Sequence, residues 1–221
     1  MRNSYSYQWF MIADPGSGGS GRSAFSALFA AVDIYKPFVF FADEIYETEV
    51  EKTVTGYTGP LIMEKCLKLH PEPEQWRCYY DSAAAWFGAH FRKLPDTEEW
   101  RMAPVEKKPG EKEDGLDILN SLFLANAIAF STQCGNAIWE YDNYARDKNG
   151  NLVKRNDHQI DNGRYLMKMA NIVAIVMQER PDGPARIKAK NRRDYVNDLE
   201  KKKKGKMGLF GKVMKQYDYG D

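Results

Sequence analysis

The chain has 221 residues, 43% of them hydrophobic and 13% aromatic, which suits one globular domain with an appendage better than two full domains. No apolar stretch approaches the roughly 20 residues of a membrane span, and the N-terminus lacks the basic-then-apolar pattern of a signal peptide. Cys66, Cys78 and Cys134 lie far apart and form no CxxC pair, so they indicate neither a zinc site nor a disulfide framework. We therefore expect a soluble protein of a reducing, intracellular compartment.

The formal net charge of +1 conceals an asymmetry along the chain. Residues 1–179 carry 19 Lys and Arg against 25 Asp and Glu, whereas residues 180–221 carry 13 against 6. This pattern predicts a folded domain over residues 1–180 and a basic tail over 181–221. The tail is either a phosphate-binding segment or a disordered, solubilising one. The phosphate-binding interpretation rests on the basic runs at 186–193 and 201–204, and its candidate DNA contacts are Lys188, Lys190, Arg192 and Arg193.

The first predicted elements are three apolar, aromatic-rich runs at residues 5–13, 23–32 and 37–45. Turn-like segments separate them, which favours an antiparallel meander of three strands. Helical spacing of apolar residues follows at 61–69, and Pro71 and Pro73 end this helix before a strand at 76–80.

Helices and strands then alternate to the end of the predicted domain. The pattern predicts helices at 82–92, 115–124, 136–144 and 157–178, strands at 100–105 and 127–130, and a hairpin tip at Asn149-Gly150. A meander followed by such alternation predicts an α/β fold: a mixed sheet with helices on both faces, in the order of a ribonuclease H-like fold.

Three aspartates stand where a short apolar run ends or a helix begins. Asp14 follows the run at 9–13, Asp81 follows the run at 78–80, and Asp161 lies near the start of the last predicted helix. Each one alone is better explained as a helix cap or turn residue. Together they predict a site for hard divalent cations such as Mg²⁺ or Mn²⁺, which prefer oxygen ligands and act in pairs in phosphodiester cleavage.

Two further residues belong to the same predicted helix. Asp157 is four residues before Asp161 and His158 is three before it, so all three share one helix face. Asp157 is a candidate fourth metal ligand or an ordinary N-cap, and His158 is a candidate site residue or a surface histidine. Arg164 is interpreted as a structural salt-bridge partner.

A glycine-rich segment at 16–23 nearly matches the phosphate-binding P-loop, with Arg22 in place of the lysine. A P-loop must open a helix, and residues 24–32 fit either a strand or a helix. A turn between two strands, in which Arg22 approaches substrate phosphates, is the favoured interpretation.

Other charged residues carry two interpretations each. Asp43 and Glu44 are either outer residues of the metal site or solvent-exposed turn acids. Lys107 and Lys108 are either phosphate contacts or part of a solvated loop.

The motifs, in order and spacing over about residues 5–170, resemble the nuclease domain of the tailed-phage large terminase subunit. They are IADPG at 12–16, FADEIY at 41–46, YYDSA at 79–83, DGLDIL at 114–119, WEYDNY at 139–144 and DHQIDNGRY at 157–165. One departure is Asn162-Gly163, where the family commonly has an alanine-leucine pair; these positions are expected to face the helix interior.

The resemblance implies a ribonuclease H-like endonuclease that cuts concatemeric viral DNA during genome packaging. It implies Asp14, Asp81 and Asp161 as ligands of two Mg²⁺ or Mn²⁺ ions, His158 as a helper, and double-stranded DNA, the portal and the small terminase subunit as partners in the host cytoplasm. The family's N-terminal packaging ATPase has no counterpart here, so an excised or separately encoded nuclease domain is expected. A catalytically silent DNA- or partner-binding module is the alternative, and nucleotide binding a weaker third.

Overall fold

The computed structural model describes residues 7–16, 24–33, 35–107, 111–144 and 157–172. Its six strands are β1 (Tyr7–Asp14), β2 (Phe25–Asp33), β3 (Val39–Glu47), β4 (Trp76–Asp81), β5 (Met102–Val105) and β6 (Ile128–Phe130). Its α-helices are α1 (Thr55–Leu69), α2 (Ala85–Phe91), α3 (Glu111–Leu124), α4 (Gly135–Asn143) and α5 (His158–Met169).

The six strands form one mixed sheet in the order β5-β4-β1-β2-β3-β6. The predicted meander is confirmed, because β1, β2 and β3 pair antiparallel in sequence. The later strands extend it in parallel on both sides, β4 beside β1, β5 beside β4, and β6 beside β3. A helix lies between β3 and β4, between β4 and β5, and between β5 and β6, as parallel pairing requires of its crossovers.

Helices cover both faces of the sheet, as the sequence predicts. Alternate residues of the central strands point to opposite sides, so each face builds its own hydrophobic core. On one face, residues such as Phe10 and Leu28 pack with α3, α4 and α5; on the other, Met11 and Phe29 pack with α1 and α2. β2 is buried along all nine residues, which fits its central place under both layers.

A β-bulge in β3 changes which side chains reach each face. The pairing register with β2 shifts by one residue, so that Phe29 opposes Asp43 while Ala30 opposes Phe41. An extra residue in one strand reverses the alternation beyond it. As a result Glu44 lies on the α4 side of the sheet, whereas Asp43 lies on the α1 side.

Most predicted boundaries agree with the observed ones to within two residues, and four differ more. α1 begins at Thr55, six residues early, and continues through Pro60. Proline removes one intrahelical hydrogen bond, and burial of Thr58 and Ile62 beside it outweighs that loss. α3 begins four residues early, and residues 82–84 form a 3₁₀ turn before α2. The last predicted helix, 157–178, does not run through: α5 ends at Met169 with Ala170 as its C-cap, and Asn171 has a positive φ of 51° that breaks the helix. The hairpin tip at 149–150 and the basic tail lie outside the described residues.

Candidate functional site

Two of the predicted aspartates occupy adjacent strand ends. Asp14 is the last residue of β1 and Asp81 the last residue of β4. These strands are parallel neighbours, and Ala13 lies opposite Tyr80 immediately before the two acids. Parallel pairing therefore delivers both carboxylates to the same edge of the sheet, as the sequence predicts.

Helix α5 spans these two strand ends. Nδ1 of His158 lies 3.0 Å from Oδ2 of Asp14, and the Tyr165 hydroxyl donates a 2.8 Å hydrogen bond to Oδ2 of Asp81. Residues spaced by three and four share one helix face, so Asp161 lies between the two contacting residues. The helix thus brings the third predicted aspartate to the face that meets both strand ends.

Each of the three aspartates has a basic partner. Asp14 faces the His158 ring, as described above. Asp81 pairs with Nζ of Lys107 at 2.6 Å, and Asp161 pairs with the Arg164 guanidinium at 3.0 Å. The salt-bridge interpretation of Arg164 is confirmed.

The pKa of Asp81 reflects a competition between burial and hydrogen bonding. Burial opposes ionisation, but hydrogen bonds from Lys107, the Ala83 amide and Tyr165 outweigh it and lower the pKa of Asp81. The bond from the Ala83 amide is a helix-cap contact, so Asp81 caps the 3₁₀ turn as well. Burial and the Asp81 carboxylate raise the pKa of Tyr165, which keeps its hydroxyl protonated as a donor.

His158 is held by its acidic surroundings. The hydrogen bond to Asp14 raises the pKa of His158 above its usual value, although burial opposes this. Its ring also lies edge-on to Tyr46 of β3, with centroids 6.1 Å apart. The surface-histidine interpretation is therefore wrong.

The sequence interpretation missed a second group of buried acids behind α5. Glu44, expected to be exposed or at the site's edge, is buried and accepts hydrogen bonds from the Asn136 and Ala137 amides at the start of α4. Glu140 of α4 is buried and accepts hydrogen bonds from the Gln159 and Ile160 amides at the start of α5. An isolated acid inside an otherwise apolar helical stripe was the one available signal for Glu140.

The other predicted site residues fall elsewhere. Asp43 is buried in an ion pair with Lys65 of α1, 2.8 Å away, so its interpretation as an exposed turn acid is wrong. Asp157 occupies the N-cap position of α5 without a capping hydrogen bond from its side chain. Lys107 contacts Asp81, as described. The remaining predicted DNA contacts lie outside the described residues: Arg22, Lys108, Lys188, Lys190, Arg192 and Arg193.

The P-loop interpretation fails on the element that follows it. Residues Phe25–Asp33 form a strand rather than the helix a P-loop must open. The glycine-rich segment therefore connects two antiparallel strands, as the favoured interpretation predicts.

Within the part of the chain that the structure describes, no three His, Cys, Asp or Glu side chains are grouped closely enough to hold a metal ion. The chemistry of the candidate donors nevertheless suits a hard divalent cation, because Asp14 and Asp81 offer carboxylate oxygens at adjacent strand ends and Asp161 offers one on the helix that contacts both. No described helix is long and apolar enough to cross a membrane.

The fold is similar to those of several solved structures. The nuclease domain of the SPP1 bacteriophage large terminase g2p, solved with bound Mn, is similar with a TM-score of 0.58 and 21% identity over 73% of this chain and 86% of that one. The P22 large terminase nuclease domain gives a TM-score of 0.53 and 16% identity over 77% and 87%. The chain has the fold of a large terminase nuclease domain.

The large terminase of a thermophilic bacteriophage is also similar, with a TM-score of 0.53 and 19% identity. The match covers 74% of this chain and 40% of that protein, so the chain corresponds to less than half of the thermophilic phage protein. No family model and no curated protein sequence matches the chain. The predicted ribonuclease H-like α/β fold is confirmed by these structural neighbours. Asn162 and Gly163, the positions at which the sequence departs from the family motif, are buried, as expected for residues that face the helix interior.

Proposed function

We propose that the chain is a divalent-metal-dependent endonuclease that cuts double-stranded viral DNA during genome packaging. The observation that carries this proposal is the position of α5, which contacts Asp14 through His158 and Asp81 through Tyr165 and so brings Asp161 to the same edge of the sheet. Asp14, Asp81 and Asp161 are the proposed ligands of two Mg²⁺ or Mn²⁺ ions, with Asp157 as a further ligand at the rim.

The chemistry of the proposed cofactor is that of a Lewis acid: two bound divalent ions activate a water molecule and stabilise the leaving oxygen of a phosphodiester. The chain's own residues bind and orient these ions. His158, whose ring lies 3.0 Å from the Asp14 carboxylate and whose pKa is raised by it, is placed to exchange a proton at the edge of the site.

The basic partners of the aspartates have a second role in this proposal. Lys107 pairs with Asp81 and Arg164 with Asp161. With a divalent cation bound to these carboxylates, Lys107 and Arg164 would be displaced from them and would be available to a DNA phosphate. Lys107 is therefore retained as a proposed DNA contact, together with the six predicted contacts outside the described residues.

Other parts of the proposal rest on the family resemblance. The resemblance to large terminase nuclease domains, one of them solved with bound Mn, supports a packaging nuclease with the portal and the small terminase subunit as partners in the host cytoplasm. A catalytically silent binding module is the alternative, which the same fold permits.

The two functions are separated by incubating supercoiled plasmid with the chain, with and without Mn²⁺. We expect nicked and linear products only with Mn²⁺, and no product from Asp14→Asn. A matched control is Asp33→Asn, which changes an aspartate at the opposite end of the sheet, where its carboxylate accepts hydrogen bonds from the Tyr35 and Lys36 amides. Intact plasmid with the unmodified chain, or equal cleavage by Asp14→Asn, would support the silent module.

A further inference from the structure

The start of α5 is held by a carboxylate from another helix. Glu140 of α4 is 2% exposed, and its Oε2 accepts hydrogen bonds from the amides of Gln159 at 2.7 Å and Ile160 at 3.2 Å. The first amides of a helix have no partner within the helix, so a cap must come from elsewhere. The N-cap residue Asp157 does not provide one from its side chain.

A second buried carboxylate holds α4 in turn. Glu44 of β3 accepts hydrogen bonds from the Asn136 amide at 2.6 Å and the Ala137 amide at 2.8 Å. Its Oε2 also accepts a hydrogen bond from the Gln159 side chain at 3.2 Å. In both cases a buried carboxyl group accepts hydrogen bonds from first-turn amides, so β3 fixes α4 and α4 fixes α5 by the same device.

The Gln159 side chain ties the first turn of α5 to the sheet as well. Its Nε2 lies 3.4 Å from the carbonyl of Ala27 in β2 and 3.2 Å from that of Ile45 in β3. Hydrogen bonds are directional, so they define the position and rotation of this turn more sharply than apolar contacts do.

The two amides that Glu140 binds belong to residues that lie between His158 and Asp161 in the chain. We propose that Glu140 is a positioning residue, which fixes the first turn of α5 so that His158 and Asp161 are held against the strand ends carrying Asp14 and Asp81. The link to catalysis rests on the proposed nuclease function, whereas the link to the position of α5 does not.

The burial of Glu140 supports a role beyond packing. Its carboxyl group is buried beside the Tyr46 hydroxyl, and taking a carboxylate out of water opposes folding. An apolar side chain at this position would avoid that cost but would leave the Gln159 and Ile160 amides without an acceptor. The carboxylate is therefore explained by what it does for α5.

The test compares Glu140→Ala with Asp33→Ala in the full chain. Both changes remove a buried carboxylate that accepts hydrogen bonds from two backbone amides, but Asp33 lies at the other end of β2. Glu140→Gln serves as the rescue variant, because one amide oxygen is kept as an acceptor. The first readout is hydrogen exchange of the Gln159 and Ile160 amides, which needs no metal, DNA or activity.

In Glu140→Ala we expect exchange at these two amides to accelerate about 10-fold or more, beyond the change in global stability. In Glu140→Gln we expect protection to be largely restored. In Asp33→Ala we expect the exchange of these amides to be unchanged. Equal protection in Glu140→Ala and the unmodified chain would overturn the positioning role, whatever the chain's activity.

The second readout is Mn²⁺-dependent plasmid cleavage per folded molecule. Loss of a residue that orients a metal ligand typically costs about 10- to 100-fold, and we expect this for Glu140→Ala but not for Asp33→Ala. Equal losses in both would leave Glu140 with a purely structural role and overturn the link to catalysis. A complete absence of cleavage by the unmodified chain would refute the proposed function instead, while the exchange result would stand.

Discussion

The two faces of the sheet are built from different chemistry. The face under α1 and α2 is packed with aromatic rings and thiols, and its main buried charge is the Asp43–Lys65 ion pair. The face under α4 and α5 combines a hydrophobic core with a connected set of buried polar side chains. That set is Ser26, Glu44, Glu140, Gln159 and Asn162.

This difference suggests that the two faces have different roles, one in the stability of the domain and the other in the position of α5. Apolar packing is strong but tolerates small shifts of a helix, whereas a hydrogen-bonded network fixes one arrangement. The network lies under the start of α5, the element that carries His158 and Asp161. We infer that the α1–α2 face mainly stabilises the domain and that the α4–α5 face also positions the candidate site.

The largest expected effect comes from a substitution in the hydrophobic core under α1 and α2. Ile62 of α1 is fully buried, so Ile62→Ala removes packing and leaves a cavity, at a cost of about 2–5 kcal/mol in unfolding free energy. Urea unfolding measures this cost. Plasmid cleavage per folded molecule should be unchanged, and a loss of cleavage as large as that of Glu140→Ala would refute the separation of the two faces.

The pH dependence of stability probes the polar side. Burial raises the pKa of Glu140 to about 7, against the hydrogen bonds of the α5 amides. The carboxyl is protonated more readily when folded, so its contribution to stability is complete below its ordinary pKa and is lost as the pH rises to about 7.

Glu140→Gln removes this titration, so the stability of the unmodified chain relative to the variant should fall between about pH 4.5 and 7, by roughly 3 kcal/mol at most. Three neighbouring groups also affect the pH dependence of stability in this region: His158, whose pKa is raised, the charged Asp157 and the Tyr46 hydroxyl. They are present in both the unmodified chain and Glu140→Gln, so most of their contribution cancels when the two stabilities are subtracted. A difference that stays constant with pH would contradict the assignment to Glu140.

A smaller change sharpens the link between α5 and the strand ends. Tyr165→Phe keeps the ring and removes only the hydroxyl that donates to Asp81. A hydrogen bond to a charged group contributes about 1.5–3 kcal/mol, so unfolding should be easier by that order and the pKa of Asp81 should rise. Carbon-13 NMR of the Asp81 carboxyl measures the pKa; an unchanged value would show that the hydroxyl does not act on this acid.

The smallest expected effect concerns the cation that competes with a metal. Lys107 is half-exposed, so its pairing with Asp81 contributes about 1 kcal/mol or less. Lys107→Ala should therefore tighten Mn²⁺ binding by up to about fivefold while weakening binding to DNA. Calorimetry with Mn²⁺ and a DNA titration measure the two changes, and weaker Mn²⁺ binding would contradict the competition.

The sequence predicts the architecture well because its signals are local. The three apolar runs of the meander, the proline stop after α1 and the acids at the ends of β1 and β4 each depend on a few neighbouring residues. The start of α1 was missed because Pro60 argues against a helix, and tertiary burial outweighs that local preference.

The supporting residues of the site were not predictable in the same way. Glu44 has two interpretations from the sequence, an outer residue of the metal site or an exposed turn acid. The register shift in β3 instead carries it to the buried α4 side, and a bulge is set by strand pairing rather than by local sequence. Tyr165 and Glu140 act across 84 and 19 residues of sequence, on Asp81 and on the Gln159 amide. Such contacts depend on how helices are placed on the sheet.

The central claim is that α5 brings Asp161 to the two strand-end carboxylates to complete a metal site. Calorimetric titration of Mn²⁺ into the full chain and into Asp161→Asn tests this most directly, with Asp33→Asn as the control for loss of an aspartate elsewhere. The account predicts saturable binding by the unmodified chain and by Asp33→Asn, and a loss of at least about 10-fold in affinity for Asp161→Asn. Equal affinity of all three proteins, or no binding by any of them, would contradict it.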